Sequence, residues 1–227
     1  FIAAPALPLP YEALGWIALL TMVTGVLGAA YHWDLRRILA FHIVSQIGYL
    51  LLGIALASPA GAAGTLFFTL HNILAKANLF LVAGLIWLLA GHYDLRRIGG
   101  LYTARPGLAV LFLIVAFSLV GVPPSSGFWA KFMLLRETFA QGRWLWGGIA
   151  LAVSLLTLYS MVKIWLEAFW KPHPEGREIV RVAGLNPAYL AVILLAALTL
   201  AMGLVPEPLV RYAEAAAASL GVGGTTR

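Results

Sequence analysis

The stretch that decides the fold is residues 62–90, AAGTLFFTLHNILAKANLFLVAGLIWLLA, an apolar run of 29 residues with Lys76 at its centre. A helix rises about 1.5 Å per residue and the hydrocarbon core of a bilayer is about 30 Å thick, so this run can cross a membrane. A lysine ammonium at that depth is costly, and it persists where it pairs, meets water or carries ions. The run therefore predicts a transmembrane helix, and Lys76 suggests the hypothesis that charge moves across the membrane.

The composition indicates the same class of protein. Of the 227 residues, 62% are hydrophobic and 11% are charged, whereas a soluble domain is about 25% charged. The net charge of +6 arises mainly from basic residues that flank apolar stretches, which favours membrane orientation over nucleic-acid binding. Because there are no cysteines, disulfides and thiolate metal sites are excluded. We therefore predict a membrane protein in contact with lipid and without a nucleic-acid partner.

Six apolar stretches are each long enough to cross a bilayer. They are residues 13–30, 38–57, 62–90, 107–135, 144–169 and 188–205. We predict an all-α, polytopic integral membrane fold of six transmembrane helices, which form a single membrane domain over residues 1–227. The chain begins without methionine, and we expect it to be a fragment or a processed piece of a larger protein. The alanine-rich segment Pro208–Leu220 is predicted to form a short surface helix.

The fourth stretch is interrupted by the motif Gly121-Val122-Pro123-Pro124-Ser125. Two adjacent prolines remove two amide donors and clash with the preceding turn, so we predict that this helix is broken. Ser125 or Ser126 is expected to cap the second half of the helix. Non-helical backbone at membrane depth survives only beside protein or water, and its free carbonyls and amides can bind water and ions.

Alternating crossings place loops 31–37, 91–106 and 170–187 on one side of the membrane. These loops hold eight basic residues and the opposite side holds four, so the first side is predicted to be cytoplasmic. Two of the loops resemble each other, HWDLRRI at 32–38 and HYDLRRI at 92–98. No other similarity accompanies them, so we interpret them as two similar helix boundaries rather than as an internal repeat.

Lys76 belongs to a dense polar group in the middle of its helix. Asn72 lies four residues earlier and shares a helix face with Lys76, whereas His71 stands about 100° around the helix from Asn72 and Asn78 points elsewhere. One interpretation is a proton relay in which the lysine takes up and releases a proton, because burial favours the neutral amine. The alternative is a structural ammonium paired with a carbonyl or carboxylate of another helix. No carboxylate of the chain lies at matching depth, which favours the relay.

Lys131 follows the break by one or two helical turns. A lysine there is well placed to exchange protons with water bound at the free backbone groups. The alternative is a lysine whose ammonium extends to the nearby helix end at Arg136. At the level of sequence both interpretations stay open.

Three further residues, His42, Lys163 and Glu167, are weaker candidates for proton transfer. Lys163 and Glu167 are four residues apart near the cytoplasmic end of their helix, which favours an ion pair over a conducting role. His42 is either an interfacial histidine, which we favour, or a proton-transfer group. Ser45 and Gln46 are expected to form hydrogen bonds between helices.

Signatures of catalysis are absent from the sequence. There is no glycine-rich phosphate loop, no His-Glu-x-x-His pattern and no spaced pair of acidic residues. We therefore expect a transporter component rather than an enzyme, with no cofactor and no metal site.

Three motifs, in this order, resemble the antiporter-like membrane subunits. This family is shared by Mrp-type multisubunit sodium/proton antiporters and by the proton-pumping arm of respiratory complex I. The motifs are Asp34–Tyr49 (DLRRILAFHIVSQIGY), His71–Lys76 (HNILAK) and Gly121–Phe132 (GVPPSSGFWAKF). Within the family, Ser-Gln-Ile-Gly-Tyr and Lys131 are most similar to the D-type component of the Mrp antiporters.

The resemblance implies a role for each candidate residue. It implies that the chain is the carboxyl-terminal part of a larger subunit, with Lys76 on a central polar axis and Lys131 at the end of the relay. His71 and Asn72 would orient water, although the family often carries a histidine at the position of Asn72. The implied partners are protons, sodium and other subunits of the complex, in the cell membrane. The nearest alternative is a proton-pumping subunit of complex I or of a membrane-bound hydrogenase, and a non-conducting scaffold is an alternative of another class.

Overall fold

The computed structural model describes residues 10–174, 176 and 187–220, and within them the chain is helical with no β-strand. A 3₁₀ turn, Leu95–Arg97, precedes α4, and a π-helical segment, Trp165–Trp170, continues α7. The α-helices of this part are α1 (Tyr11–Tyr31), α2 (Leu35–Ala55), α3 (Pro59–Ala90), α4 (Leu101–Ala104), α5 (Pro106–Val120), α6 (Ser126–Ala140), α7 (Trp144–Ile164), α8 (Pro187–Leu204) and α9 (Glu207–Ser219).

Five helical segments of the described chain are long and apolar enough to cross a membrane, namely α1, α2, α3, α7 with its π-helical continuation, and α8. The remaining predicted crossing is formed by α5 and α6, which share the length of the fourth apolar stretch. The prediction of an all-α polytopic membrane fold is therefore confirmed.

α3 is the central helix of the bundle and contacts α2, α5, α6, α8 and α9. It begins at Pro59, where the Ser58 hydroxyl accepts a hydrogen bond from the Gly61 amide over 3.0 Å. This N-cap satisfies one of the donors that a helix start leaves free. The position of Lys76, midway along this helix, places the lysine at the middle of the bundle.

The predicted break separates α5 from α6. Gly121 ends α5 with a φ of +95°, a left-handed conformation that favours glycine, and the Pro123–Pro124 peptide bond is cis. The cap predicted for α6 is wrong, because the Ser125 hydroxyl donates to the Val122 carbonyl over 2.6 Å and no side chain caps this helix. The Ser125 amide also donates to the Val122 carbonyl over 3.1 Å, so a tight turn directs the serine toward Val122 and its hydroxyl oxygen accepts no hydrogen bond from the amides of α6.

The loops gather at two opposite ends of the bundle, as alternating crossings require. At one end, the Leu35 amide donates to the Tyr93 carbonyl over 2.9 Å and the Gly100 amide to the Lys171 carbonyl over 2.6 Å. We call the end formed by loops 31–37 and 91–106 and by the start of loop 170–187 the arginine-bearing end, because it carries most of the basic loop residues. At the other end, the Ser58 hydroxyl donates to the Glu137 carboxylate over 2.8 Å. The part of loop 170–187 that carries Arg177 and Arg181 lies outside the described residues.

The two similar loops pair with each other at the arginine-bearing end. Asp34 and Asp94 form an isolated antiparallel bridge, flanked by hydrogen bonds from Leu35 to Tyr93 and from Leu95 to Trp33, each 2.9 Å. Each aspartate also accepts a hydrogen bond from a backbone amide of the helical turn that follows it. The likeness of the two sequences thus reflects two matching helix starts that contact each other.

The alanine-rich segment forms α9, as predicted. The helix packs against α3, with Ala213 and Ala217 buried. Its outer face carries the exposed pair Arg211 and Glu207, whose side chains are 2.5 Å apart.

Candidate functional site

Lys131 lies in the second turn of α6, and only 4% of its surface is exposed. Its ammonium donates to the Val120 carbonyl over 2.8 Å and to the Ser154 hydroxyl over 3.1 Å. The side chain therefore turns back to the end of α5, where free carbonyls and the helix dipole favour a positive charge. The alternative in which the ammonium extends to the helix end at Arg136 is wrong.

Tyr49 of α2 joins Lys131 to a wider hydrogen-bonded group. Its hydroxyl donates to the Ala150 carbonyl over 2.5 Å and contacts the Ser154 hydroxyl over 2.8 Å. The Lys131 ammonium lies 5.1 Å from the centre of the Tyr49 ring, within range of a cation–π interaction. Sequence reasoning did not identify Tyr49 or Ser154 as site residues, although Tyr49 ends the first family motif.

His71 connects α3 to the break. Its Nδ1 lies 2.8 Å from the Ser126 hydroxyl, and Ser126 lies 3.4 Å from the Ser118 hydroxyl. A side chain at Gly127 would collide with the Ser118 carbonyl and with the imidazole, so the close approach of these helices requires glycine. We call the residues gathered at the break the interior cluster: Tyr49, His71, Ser118, Ser126, Lys131 and Ser154.

Lys76 has a different environment from Lys131. Its ammonium is buried and has no hydrogen-bond partner among the described residues. The side-chain carbonyl oxygen of Asn72 is likewise buried and without a partner there. Lys76 lies on α3, which packs against α6, the helix that carries Lys131. Asn78 points elsewhere, as predicted, and donates to the Val192 carbonyl of α8 over 3.2 Å. The structure thus places Lys76 and Asn72 near the interior cluster without bonding them to it.

The predicted ion pair between Lys163 and Glu167 does not form. The Lys163 ammonium donates to the carbonyls of Ala30 and His32, over 2.6 and 2.7 Å. The Glu167 carboxylate instead pairs with Lys171 at 2.5 Å. Lys171 is also four residues from Glu167, so spacing alone could not decide between the two lysines.

His42, predicted to be an interfacial histidine or a proton-transfer group, is completely buried among the helices. Neither ring nitrogen of His42 has a hydrogen-bond partner in the described chain, and the same is true of both amide atoms of Gln46. Ser45 does form the expected bond between helices and donates to the Met22 carbonyl over 3.0 Å. The bond predicted for Gln46 is absent from the residues that the structure describes.

The interior cluster holds groups that can pass protons. A hydroxyl both donates and accepts, an imidazole has one donor and one acceptor nitrogen when neutral, and an amine changes charge when it loses a proton. None of the ion pairs between described residues includes Lys76 or Lys131. In the same part of the chain, no group of three histidine or acidic side chains could hold a metal ion.

Comparison with known sequences identifies a membrane-protein family and relatives of the chain. The sequence profile described as NADH:quinone oxidoreductase/Mrp antiporter, transmembrane, matches residues 3–159. Over 198 residues the chain is 42% identical to the D-type component of a Na(+)/H(+) antiporter from Alkalihalophilus pseudofirmus, with 86% of this chain and 40% of that protein covered. The chain thus spans about two fifths of the length of this relative.

Two solved structures share the fold. A chain of the Mrp complex from Dietzia sp. DQ12-45-1b superposes with a TM-score of 0.84 and 34% identity, covering 93% of this chain and 47% of that one. A chain of respiratory complex I from Thermus thermophilus superposes with a TM-score of 0.80 and 29% identity, covering 93% of this chain and 45% of that one. Both belong to multisubunit membrane complexes.

Proposed function

We propose a function from the family of the chain, which belongs to the NADH:quinone oxidoreductase/Mrp antiporter transmembrane family. In this proposal the chain carries protons through the membrane as part of a multisubunit sodium/proton antiporter. The similarity to the D-type antiporter component of Alkalihalophilus pseudofirmus supports this choice. The partners are then protons, sodium and the other subunits of the complex, and lipid surrounds the outer faces. No cofactor is needed for this role.

The bonding of Lys131 is the observation that carries the proposal. As an ammonium it donates both to the Val120 carbonyl and to the Ser154 hydroxyl. As a neutral amine it could still donate to the carbonyl and could accept a hydrogen bond from the same hydroxyl, because a serine hydroxyl can rotate to donate. Both protonation states are therefore satisfied by the same neighbours, as a proton carrier inside a membrane requires.

Lys76 is the central carrier in this proposal and Lys131 the terminal one. His71 reaches the break through Ser126, and its Nε2 is buried and unpartnered among the described residues. The same holds for the Asn72 carbonyl oxygen and the Lys76 ammonium. Buried polar atoms of this kind are ordinarily satisfied by ordered water, so His71 and Asn72 would orient water between the two lysines.

The orientation of the chain follows from its charges. The arginine-bearing end, which includes loops 31–37 and 91–106 and the start of 170–187, faces the cytoplasm in this proposal. The membrane is the cell membrane, and the chain is the carboxyl-terminal part of its subunit.

A second candidate is a proton-pumping subunit of respiratory complex I. The superposition on a Thermus thermophilus complex I chain, with a TM-score of 0.80, favours it. The two candidates share the lysines and differ in their partners. Purification of the tagged protein from its own cells distinguishes them, because only the complex I candidate would bring along iron–sulfur proteins that oxidise NADH.

Sodium/proton exchange in everted membrane vesicles tests the proposal. The substitution Lys131→Ala is introduced into the complete subunit within its complex. In wild-type vesicles, added Na⁺ dissipates the acidification of the vesicle interior. We expect exchange to fall to the level of vesicles without the complex, while the amount of assembled complex stays unchanged. Normal exchange by the assembled variant would instead support a non-conducting scaffold.

A further inference from the structure

The two helices that carry the buried lysines, α3 and α6, each bond to the same neighbour, α8. Asn78 of α3 donates from its side chain to the Val192 carbonyl over 3.2 Å. The indole of Trp129, on α6, donates to the Gly203 carbonyl over 2.9 Å. We call Asn78 and Trp129 the α8 anchors.

Each anchor lies on the opposite side of its helix from a lysine. Asn78 is two residues after Lys76, and Trp129 is two residues before Lys131. Because successive residues of an α-helix are turned by about 100°, a separation of two residues corresponds to about 200°. The contact between an anchor and α8 therefore fixes the rotation of the helix and, with it, the direction in which the lysine points.

One face of α8 packs on the bundle along most of the length of the helix. Its buried residues are Val192, Ala196, Thr199 and Gly203, and they recur at the spacing of a single helix face. Val192 and Gly203 are about three turns, or roughly 16 Å, apart. α8 is thus one continuous helix that contacts both α3 and α6.

The break makes α6 depend on a contact of this kind. The helical backbone bonds of α5 stop at residues 121–125, and no side chain caps the start of α6. A side chain at Gly203 would collide with the Pro124 carbonyl and the Ser125 backbone, so α8 packs directly against the turn. The Gly203 carbonyl lies in the last turn of α8, where carbonyls lack partners within the helix, and Trp129 satisfies it.

We propose that Asn78 and Trp129 are positioning residues, which hold α3 and α6 against α8 so that Lys76 and Lys131 keep a fixed separation and direction during proton transfer. Neither anchor takes up or releases a proton. Trp129 matters most when Lys131 is neutral, because an uncharged amine bonds less strongly to a carbonyl than an ammonium does. This inference rests on the proposed proton transport and adds the residues that set the geometry of its two carriers.

Trp129→Phe and Asn78→Leu remove the two donors and keep bulky side chains in place. Both are introduced into the complete subunit within its complex, and initial rates of sodium/proton exchange in everted vesicles are measured over a range of Na⁺ concentrations. Rates are divided by the amount of assembled complex, so a variant that only assembles poorly keeps its normal rate. We expect the maximal rate to fall about tenfold or more in each variant, because small displacements of reacting groups slow a reaction strongly. The Na⁺ concentration that gives half of the maximal rate should stay unchanged.

A third substitution tests whether the effect passes through the contact itself. Gly203→Ala pushes α8 away from the break, so it disturbs from α8 the contact that Trp129→Phe disturbs from α6. The double variant should be no slower than the slower single variant, because effects that pass through one shared contact do not add. Multiplied effects would show two independent defects and would overturn the role of the contact.

The matched controls are Trp144→Phe and Gly148→Ala. Trp144 is 71% exposed, and nothing lies within 4 Å of a side chain at Gly148, so both variants should keep the wild-type rate. If Lys131→Ala abolishes exchange while Trp129→Phe or Asn78→Leu keeps the full maximal rate, that residue has no positioning role and the proposed function stands. If Lys131→Ala also retains exchange, the proposed function itself fails.

Discussion

The bundle interior and the arginine-bearing end both hold lysines, and the two regions differ in the partners that they offer to the ammonium groups. At the arginine-bearing end, Lys163 donates to two carbonyls at the end of α1, and Lys171 pairs with Glu167. In the interior, Lys131 has one carbonyl and one hydroxyl as partners, and Lys76 has none among the described residues. An ammonium with fixed acceptors holds helices together, whereas one with adaptable partners can lose its proton without loss of structure. The comparison predicts that function and stability depend on different lysines.

The largest effect on function without loss of stability is expected from Lys76→Met. Exchange in everted vesicles should fall to background, because the central proton carrier is gone. The thermal midpoint of the purified complex should stay the same or rise, since methionine replaces an unpartnered buried ammonium by an apolar side chain of similar length. A fall in the midpoint together with normal exchange would reverse the roles given to the two regions.

A large effect on assembly is expected from Gly127→Ala. The added methyl group would collide with the Ser118 carbonyl and the His71 ring, and backbone must move to admit it. Overpacking of this kind costs about 1–3 kcal/mol, so less complex should assemble in the membrane. Gly84→Ala is the matched control, because nothing lies within 4 Å of a side chain at that position. Equal amounts of both variants would show that the break tolerates separation of its helices.

Lys163→Met should have the opposite pattern to Lys76→Met. Loss of the bonds to Ala30 and His32 removes charge-assisted contacts that are each worth about 1.5–3 kcal/mol. The thermal midpoint of the complex should therefore fall, while exchange per assembled complex stays normal. Loss of exchange at full stability would place Lys163 among the conducting residues.

The smallest effect is expected from Asp94→Asn at the loop pairing. The side-chain hydrogen bond from Arg96 lowers the pKa of Asp94 below its ordinary value, so the ionised carboxylate stabilises the fold above about pH 4. This contribution, about 1 kcal/mol or less, is lost as the pH falls through the lowered pKa. The midpoints of wild type and variant should differ at pH 7 and converge below about pH 4. If the difference between the two midpoints stayed constant over this pH range, the ionised Asp94 carboxylate would not be the group that stabilises the fold.

The outline of the fold follows from the sequence because apolar length and proline chemistry act locally. The stretch 62–90 predicts α3, and the two prolines predict the break between α5 and α6. The pairing of the loops at Asp34 and Asp94 could not be predicted, because it depends on how the helices pack. The cap of α6 was predicted incorrectly, because the tight turn directs the Ser125 hydroxyl to the Val122 carbonyl and not to the first amides of the helix.

The site was predictable where depth alone selects a residue. Lys76 and Lys131 stand out because an ammonium within an apolar stretch is energetically costly in a membrane and therefore indicates a function. Glu167 has two lysines at equal spacing, and only the structure shows that Lys171 is its partner. His42 lies close in sequence to Arg36 and Arg37, which favoured the interface, yet the packed face of α2 buries it completely.

Lys131→Arg is the most direct test of the idea that an interior lysine releases its proton. Arginine keeps the positive charge at the end of α5 and keeps donors for the Val120 carbonyl, but it does not lose its proton in proteins. Proton uptake driven by a sodium gradient is measured in proteoliposomes with the purified complex. We predict that the assembled variant shows no uptake above empty liposomes. Uptake at the wild-type rate would contradict proton release by Lys131 and would leave the ammonium with only a structural role.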